Sequence, residues 1–121
     1  MFQVRSGKET NMELDWVTVC DVSDLKVGAG VCVLVEDRQA AIFYLGSNDS
    51  IYAIDNYDPF GQANVLSRGI VGDIGGDLVV ASPLHKQHFK LETGICVEDE
   101  SVKVATFPVR LDEKRVQMAV V

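Results

Sequence analysis

The sequence is poor in the side chains that disulfide frameworks and metal centres need. It contains three cysteines, two histidines and one tryptophan among 121 residues. The cysteines, Cys20, Cys32 and Cys96, are odd in number and widely spaced, and they form no Cys-x-x-Cys pair, which argues against a disulfide framework or a thiolate metal site. Each lies in an apolar or β-like run, so we expect buried, unreactive thiols and a reducing compartment.

Positive charge and long hydrophobic runs are also scarce. Eleven Lys and Arg stand against eighteen Asp and Glu, for a net charge of −7. Such a surface repels phosphate backbones and anionic lipids, so we expect neither nucleic acid nor membrane as a partner. The longest apolar runs, Val31–Val35 and Ala40–Leu45, are too short to cross a bilayer. The first ten residues lack the apolar core of a signal peptide, and we therefore expect a cytoplasmic protein.

What is present is a series of short β-like runs. The chain length suits one domain that folds without disulfide or metal, and we expect a flexible N-terminal arm over residues 1–13 before a domain over 14–121. A turn of helix is predicted only within residues 58–67, after Pro59. Runs this short, parted by turns, predict an all-β antiparallel sandwich or barrel. The predicted strands are Trp16–Cys20, Val31–Val35, Gln39–Leu45, Ser50–Ile54, Val79–Ala81, His88–Leu91, Ile95–Glu98, Thr106–Leu111 and Val116–Val121.

The glycine-rich segments favour turns over ligand sites. Residues 28–30 open like a dinucleotide-binding fingerprint but lack the third glycine and a following helix. Residues 72–77 could cradle an anion, yet Asp73 and Asp77 would repel it, so a hairpin connection is predicted. Gly94 is predicted to end a hairpin turn with positive φ.

Two segments carry the most specific pattern in the chain. Residues 54–60 read Ile-Asp-Asn-Tyr-Asp-Pro-Phe, and residues 80–94 contain Ser-Pro-Leu-His followed by Phe-Lys-Leu-Glu-Thr-Gly. The pair resembles the two cluster-binding loops of the Rieske iron–sulfur family, which read Cys-x-His and Cys-x-x-His. This resemblance implies a Rieske-like fold of three stacked antiparallel sheets.

The ligand positions of that pattern are occupied by residues that suit an iron–sulfur cluster poorly. A Rieske [2Fe–2S] centre needs two thiolates on one iron and two imidazoles on the other. This chain has Asp58 and Phe60 in the first loop, and Ser82 and His85 in the second. Phe60 has no lone pair to donate, and the oxygens of Asp58 and Ser82 are hard donors where soft sulfur is wanted. We therefore expect no bound cluster, with hydrogen bonds among Asp58, Ser82 and His85 in place of metal bonds.

Residues 56–60, 63–73 and 80–89 carry a narrower similarity. Over these segments the chain resembles, among cluster-free members, the small subunits of assimilatory NAD(P)H-dependent nitrite reductases. This resemblance implies a large-subunit partner that carries FAD, sirohaem and a [4Fe–4S] cluster, and a small subunit with no cofactor and no catalytic residue of its own. It also implies that the loops form a partner-facing tip, for which we expect Tyr57, Asp58, Phe60, Ser82, His85 and Lys86. Arg68 and Lys86 are positive exceptions that could pair with an acid of the partner.

Two alternatives remain open at this point. One is an electron carrier with a variant metal centre at His85, His88 and Asp58, although residues three apart on an extended segment point to opposite faces. The other is a Rieske-like module that serves a different oxidoreductase, such as an oxygenase. Hydrolysis by Ser82 is not expected, because no glycine elbow surrounds it. In the simplest interpretation, His85 is a solvated loop residue and His88 packs beside Phe89.

Overall fold

The computed structural model describes residues 2–4, 15–46 and 50–119, which form thirteen strands and, within these ranges, no α-helix. Short 3-10 turns occupy Val22–Asp24 and Leu66–Arg68. The predicted all-β class is confirmed. The strands are β1 Phe2–Val4, β2 Trp16–Asp21, β3 Gly30–Val35, β4 Arg38–Tyr44, β5 Ile51–Asp55, β6 Tyr57–Asp58, β7 Ala63–Asn64, β8 Ile70–Ile74, β9 Asp77–Ala81, β10 His88–Lys90, β11 Thr106–Phe107, β12 Val109–Asp112 and β13 Arg115–Ala119.

Three sheets form layers, with the largest in the middle. Its strand order is β1-β3-β4-β5-β11, and the flanking sheets are β10-β9-β8 and β12-β13-β2. On β4, Ala40 and Ile42 pack in one buried cluster with residues of β2 and β13, whereas Ala41 and Phe43 pack in another with residues of β9 and β10. Because successive side chains of a strand point to opposite faces, the unbroken apolar run of β4 results from burial on both faces.

Ladder pairing is antiparallel except at the N-terminal edge. Phe2–Val4 lies in the range expected to be a flexible arm but pairs in parallel with β3, from Phe2 opposite Val33 to Val4 opposite Val35. The open edge of β3 offers unpaired backbone groups that accept an extended segment. The rest of the expected arm lies outside the described residues, and so do residues 120 and 121 of the last predicted strand.

Three of the predicted elements differ in form from the structure. The run predicted over Thr106–Leu111 divides at Pro108, which has no backbone N–H for a ladder; β11 pairs with β5, and β12 pairs with β13. Ile95–Glu98 makes only isolated bridges, such as Ile95 with Lys103. The helical turn expected within residues 58–67 is present only as a single turn, closed after Pro59 by the Gln62 N–H and the Asp58 carbonyl, inside the hairpin of β6 and β7. A 3-10 turn follows this hairpin.

The hairpin connections were predicted correctly. β8 and β9 pair in register around Gly75 and Gly76, whose φ values are 59° and 92°. Gly94 has a φ of 78°, and its N–H donates to the Lys90 carbonyl at 2.8 Å. Positive φ is cheap only for glycine. Within the described ranges, no helix is long and apolar enough to cross a membrane.

The cysteines fit the expectation of unreactive thiols. Cys20 and Cys96 are buried, and Cys32 is half-buried. Burial raises the pKa of the Cys20 thiol to about 11, with help from the carboxylates of Asp24 and Asp21. Burial also raises the pKa of Cys32 and of Cys96. A thiol that stays protonated at neutral pH is a poor nucleophile.

We expect Gly94→Ala to destabilise the fold far more than Gly28→Ala. The two glycines have nearly equal φ, 78° and 79°, but a Cβ at Gly94 would lie 2.1 Å from the Val104 carbonyl oxygen, whereas nothing lies within 4 Å of one at Gly28. Gly28→Ala should cost about 1–2 kcal/mol from backbone strain alone. Gly94→Ala should cost about 3 kcal/mol or more in the free energy of unfolding, measured by urea denaturation. Equal losses would contradict the steric role of Gly94.

Candidate functional site

The candidate site consists of two loops at the same end of the molecule. The first loop, residues 57–62, contains the turn between β6 and β7, and the second loop, residues 82–87, connects β9 to β10. The Ser82 hydroxyl donates to Asp58 Oδ2 at 2.5 Å and so joins the loops directly. Asp58 is 0% exposed and Ser82 is 1% exposed, which places this charged hydrogen bond in the interior. A charge-assisted bond shielded from water is among the stronger hydrogen bonds.

The same two residues also organise their own loops. Asp58 Oδ1 accepts from the Phe60 N–H at 2.9 Å, and the Asp58 carbonyl accepts from the Gln62 N–H at 2.7 Å. Ser82 Oγ accepts from the Leu84 N–H at 3.3 Å, and the Ser82 carbonyl accepts from the Lys86 N–H at 3.1 Å. Each residue therefore closes one turn and ties it to the other.

The predicted hydrogen-bonded set is thus present for Asp58 and Ser82 but not for His85. His85 is exposed and makes no hydrogen bond with the part of the chain that the structure describes. The burial of Asp58 and Ser82 also corrects their placement on a partner-facing surface. Their side chains hold the loops from within, because a carboxylate in the interior needs hydrogen-bond donors around it.

Phe60 closes the site from the core side. Its half-buried ring lies 6.1 Å from that of the fully buried Phe89, centroid to centroid, with the planes tilted by 44°. This separation is typical of favourable aromatic pairs. A Cβ built on Gly61 would come within 2.5 Å of Leu84 Cδ1, so the Leu84 side chain lies against the first loop. Phe60 is therefore in part a packing residue.

The exposed part of the loops is amphipathic. Tyr57 is 41% exposed and Leu84 is 48% exposed, and His85 and Lys86 are exposed beside them. Lys86 has a φ of 63°, the left-handed conformation that follows the tight turn of the second loop. Leu84 was not singled out from the sequence, because it occupies the variable position of the Ser-Pro-x-His pattern.

Asn56 fixes the start of the first loop from beneath. It is 2% exposed, and its Oδ1 accepts from the Ser67 N–H at 2.7 Å. Its Nδ2 donates to Gln39 Oε1 at 3.0 Å. A buried amide with partners on both ends holds strand β5 to the 3-10 turn that follows the first loop.

His88 contacts an acid that was not predicted, Glu98. Its Nδ1 lies 2.6 Å from Glu98 Oε2, and its backbone N–H donates to Glu98 Oε1 at 2.7 Å. Partial burial of Glu98 tends to raise its pKa, but these hydrogen bonds from His88 outweigh that effect and leave the pKa lowered. Across the described ranges, no three His, Cys, Asp or Glu residues are grouped closely enough to hold a metal ion.

The residues at the ligand positions do not fit a [2Fe–2S] cluster. Phe60 carries no donor atom, and the oxygens of Asp58 and Ser82 are hydrogen-bonded to each other at 2.5 Å. None of the three cysteines lies in either loop: Cys20 is on β2, Cys32 is on β3, and Cys96 forms an isolated β-bridge with Phe89 of β10. A Rieske centre needs two cysteines and two histidines around the iron pair.

With this geometry established, comparison with known proteins places the chain in a family. The model of the Rieske-like [2Fe-2S] domain matches residues 15–119. The chain therefore belongs to the Rieske-like domain family, in the form that departs from the cluster-binding pattern at Asp58, Phe60 and Ser82.

Within that family, the predicted resemblance to nitrite reductase small subunits is confirmed. The chain is 44% identical over 103 residues to the nitrite reductase (NADH) small subunit of Salmonella typhimurium, an alignment that covers 85% of this chain and 95% of the relative. The solution structure of the nitrite reductase [NAD(P)H] small subunit of Erwinia carotovora matches with a TM-score of 0.75 and 48% identity, covering 88% of this chain and 82% of that one.

A third relative contains a similar domain inside a much longer chain. The nitrite reductase [NAD(P)H] large subunit of Klebsiella oxytoca is 39% identical over 101 residues, which cover 84% of this chain but only 10% of the relative. A domain similar to this chain therefore also occurs joined covalently to a large subunit.

We expect Ser82→Ala to cost about 1–3 kcal/mol in the free energy of unfolding, because it removes a hydrogen bond from the buried Asp58 carboxylate. Ser101→Ala is a matched control, since Ser101 Oγ donates to Asp99 Oδ1 at the same 2.5 Å but on an exposed turn. The control should cost less than about 0.5 kcal/mol. Urea denaturation of both variants measures the difference, and equal effects would mean that burial adds nothing to the Asp58–Ser82 bond.

Proposed function

We propose that this chain is the small subunit of a cytoplasmic NAD(P)H-dependent nitrite reductase that reduces nitrite to ammonium in nitrate assimilation. The observation that carries the proposal is the similarity of this chain to a small subunit of that enzyme, along nearly the whole length of the relative. The Klebsiella oxytoca relative supports it from another direction, because there a similar domain is part of the large subunit itself.

In this proposal the small subunit holds no cofactor and carries out no bond-making step. The support lies in the two loops, where the side-chain oxygens of Asp58 and Ser82 are hydrogen-bonded to each other and to backbone N–H groups. FAD, sirohaem and a [4Fe–4S] cluster belong to the large subunit, where the chemistry takes place. The small subunit contributes to assembly, stability or the geometry of the electron path.

Contact with the large subunit is made by the loop tip. Of the six residues assigned to it, Tyr57, His85 and Lys86 have exposed side chains that a partner can touch. An exposed tyrosine beside charged groups is typical of interface positions that contribute strongly to binding. Asp58, Phe60 and Ser82 support this surface by fixing the conformation of both loops.

Purification of the tagged chain from its native host grown on nitrate tests the subunit role. We expect a large flavin–sirohaem protein to co-purify, identified by mass spectrometry and by the visible spectrum of the complex. The control is the same tagged chain expressed in the host grown on ammonium. Recovery of an unrelated oxygenase, or of the tagged chain alone, would contradict the proposal.

The double variant Tyr57→Ala/His85→Ala tests the tip. Both side chains are exposed, so we expect an unchanged urea midpoint, whereas association with the large subunit should weaken by roughly tenfold or more, about 1.4 kcal/mol. Phe60 is left intact because its packing on Phe89 would confuse a binding loss with a folding loss. Lys114→Ala, an exposed change in the turn between β12 and β13, is the control. Unchanged affinity of the double variant would place the interface elsewhere.

A further inference from the structure

A cleft lies beside the tip, between the second loop and the start of β8. Its volume is about 440 Å³. The 3-10 turn supplies one side of it, β8 and β9 supply the floor, and the second loop supplies the other side. Its lining includes Arg68, Ile70, Ala81, Pro83, Lys86 and His88.

The floor of this cleft is apolar and its key side chain is open to solvent. Ile70 is 77% exposed, more than any other large hydrophobic residue in the described part of the chain. It is the first residue of β8 and is paired with Ala81 of β9, which lines the same cleft. A single exposed isoleucine is ordinary. One that lines a concave surface next to Ala81 and Pro83 offers a binding surface for an apolar side chain.

The two sides of the cleft are positively charged on an acidic protein. Arg68 of the 3-10 turn and Lys86 of the second loop line it from opposite sides, and neither makes an ion pair with any residue that the structure describes. His88 also lines the cleft, and Glu98 is already engaged by it. On a chain with a net charge of −7, these two positive side chains favour an external carboxylate over a cation.

We propose that this cleft receives a segment of the large subunit in which an apolar side chain stands next to an acidic one. The apolar side chain packs on Ile70, Ala81 and Pro83, and the carboxylate lies between Arg68 and Lys86. The inference rests on the proposed function and adds the chemistry of the partner segment. A small inorganic anion fits less well, because it would gain nothing from the apolar floor.

The adjoining strand limits where the acidic side chain of the bound segment can lie. β8 is the outer strand of its sheet and pairs only with β9 among the described strands, so its other edge is open to an extended peptide. Asp73 lies toward the far end of β8, where it would repel an acid. The acidic side chain of the partner is therefore confined to the end near Arg68.

The test uses the purified large subunit and measures its dissociation constant for variants of this chain by calorimetry at low and high salt. Arg68→Glu/Lys86→Glu should weaken binding at least tenfold at low salt, since attraction becomes repulsion. Because salt screens that repulsion, the loss should shrink at high salt, whereas the natural chain should bind more weakly there. Ile70→Ser should weaken binding severalfold with the salt dependence unchanged. Unchanged urea midpoints verify that each variant folds.

The matched control is Lys26→Glu/Lys114→Glu, which makes the same change in net charge at two exposed lysines outside the cleft. It should bind within about twofold of the natural chain. Equal losses of affinity in the two charge-reversed variants would mean that only net charge matters. That result would overturn the proposed binding in the cleft but leave the subunit role standing. A natural chain that fails to bind the large subunit at all would overturn the subunit role and the cleft together. Inorganic phosphate that binds the isolated chain in an Arg68-dependent way, without any effect of Ile70→Ser on large-subunit binding, would identify a simple anion site instead.

Discussion

The arrangement of the tip depends on one buried hydrogen bond, between the Ser82 hydroxyl and the Asp58 carboxylate. An ionised group away from water is tolerated only when donors surround it, and here a side chain and a backbone N–H supply them. The bond joins residues from separate loops, so it fixes the position of one loop relative to the other. The exposed side chains of these two loops therefore depend on that link for their relative position.

The layered sheets explain why so few contacts are enough to hold the two loops. The central sheet is covered on both faces by apolar clusters, and the flanking sheet that contains β9 and β10 delivers the second loop. Phe89 of β10 is part of the core and also forms the surface on which the Phe60 ring packs. The loops therefore rest on a stable base and need only a few contacts of their own to keep one conformation.

Much of this architecture could be predicted from the residues, because the buried strands have a clear sequence pattern. β-Branched and aromatic runs bounded by turn residues gave β2 to β5 nearly to the residue. β8 was not predicted, because most of its side chains are exposed and it contains glycine, so it shows no apolar alternation. The division at Pro108 was readable in principle, since proline cannot continue a ladder, but its assignment to two different sheets depends on long-range pairing.

The candidate site was predictable where it follows a local pattern and not where it depends on distant contacts. Asp58 and Ser82 could be identified as substitutes for ligands because they occupy fixed positions in two recognisable segments. That both are buried, and that His88 turns to Glu98, depends on how the sheets pack. The apolar surface formed by Ile70 and Pro83 likewise exists only when β8 and the second loop are brought together in space.

The Asp58–Ser82 link also has a consequence for how the protein matures. Loops that are tied by atoms of one polypeptide close in a unimolecular step, at a rate that does not depend on the concentration of any other species. Loops tied by an inserted cofactor must wait for a delivery event that is second order and competes with other acceptors. In a small subunit without a cofactor, as proposed for this chain, the tip reaches its final shape once the sheets have formed and waits for no delivery step.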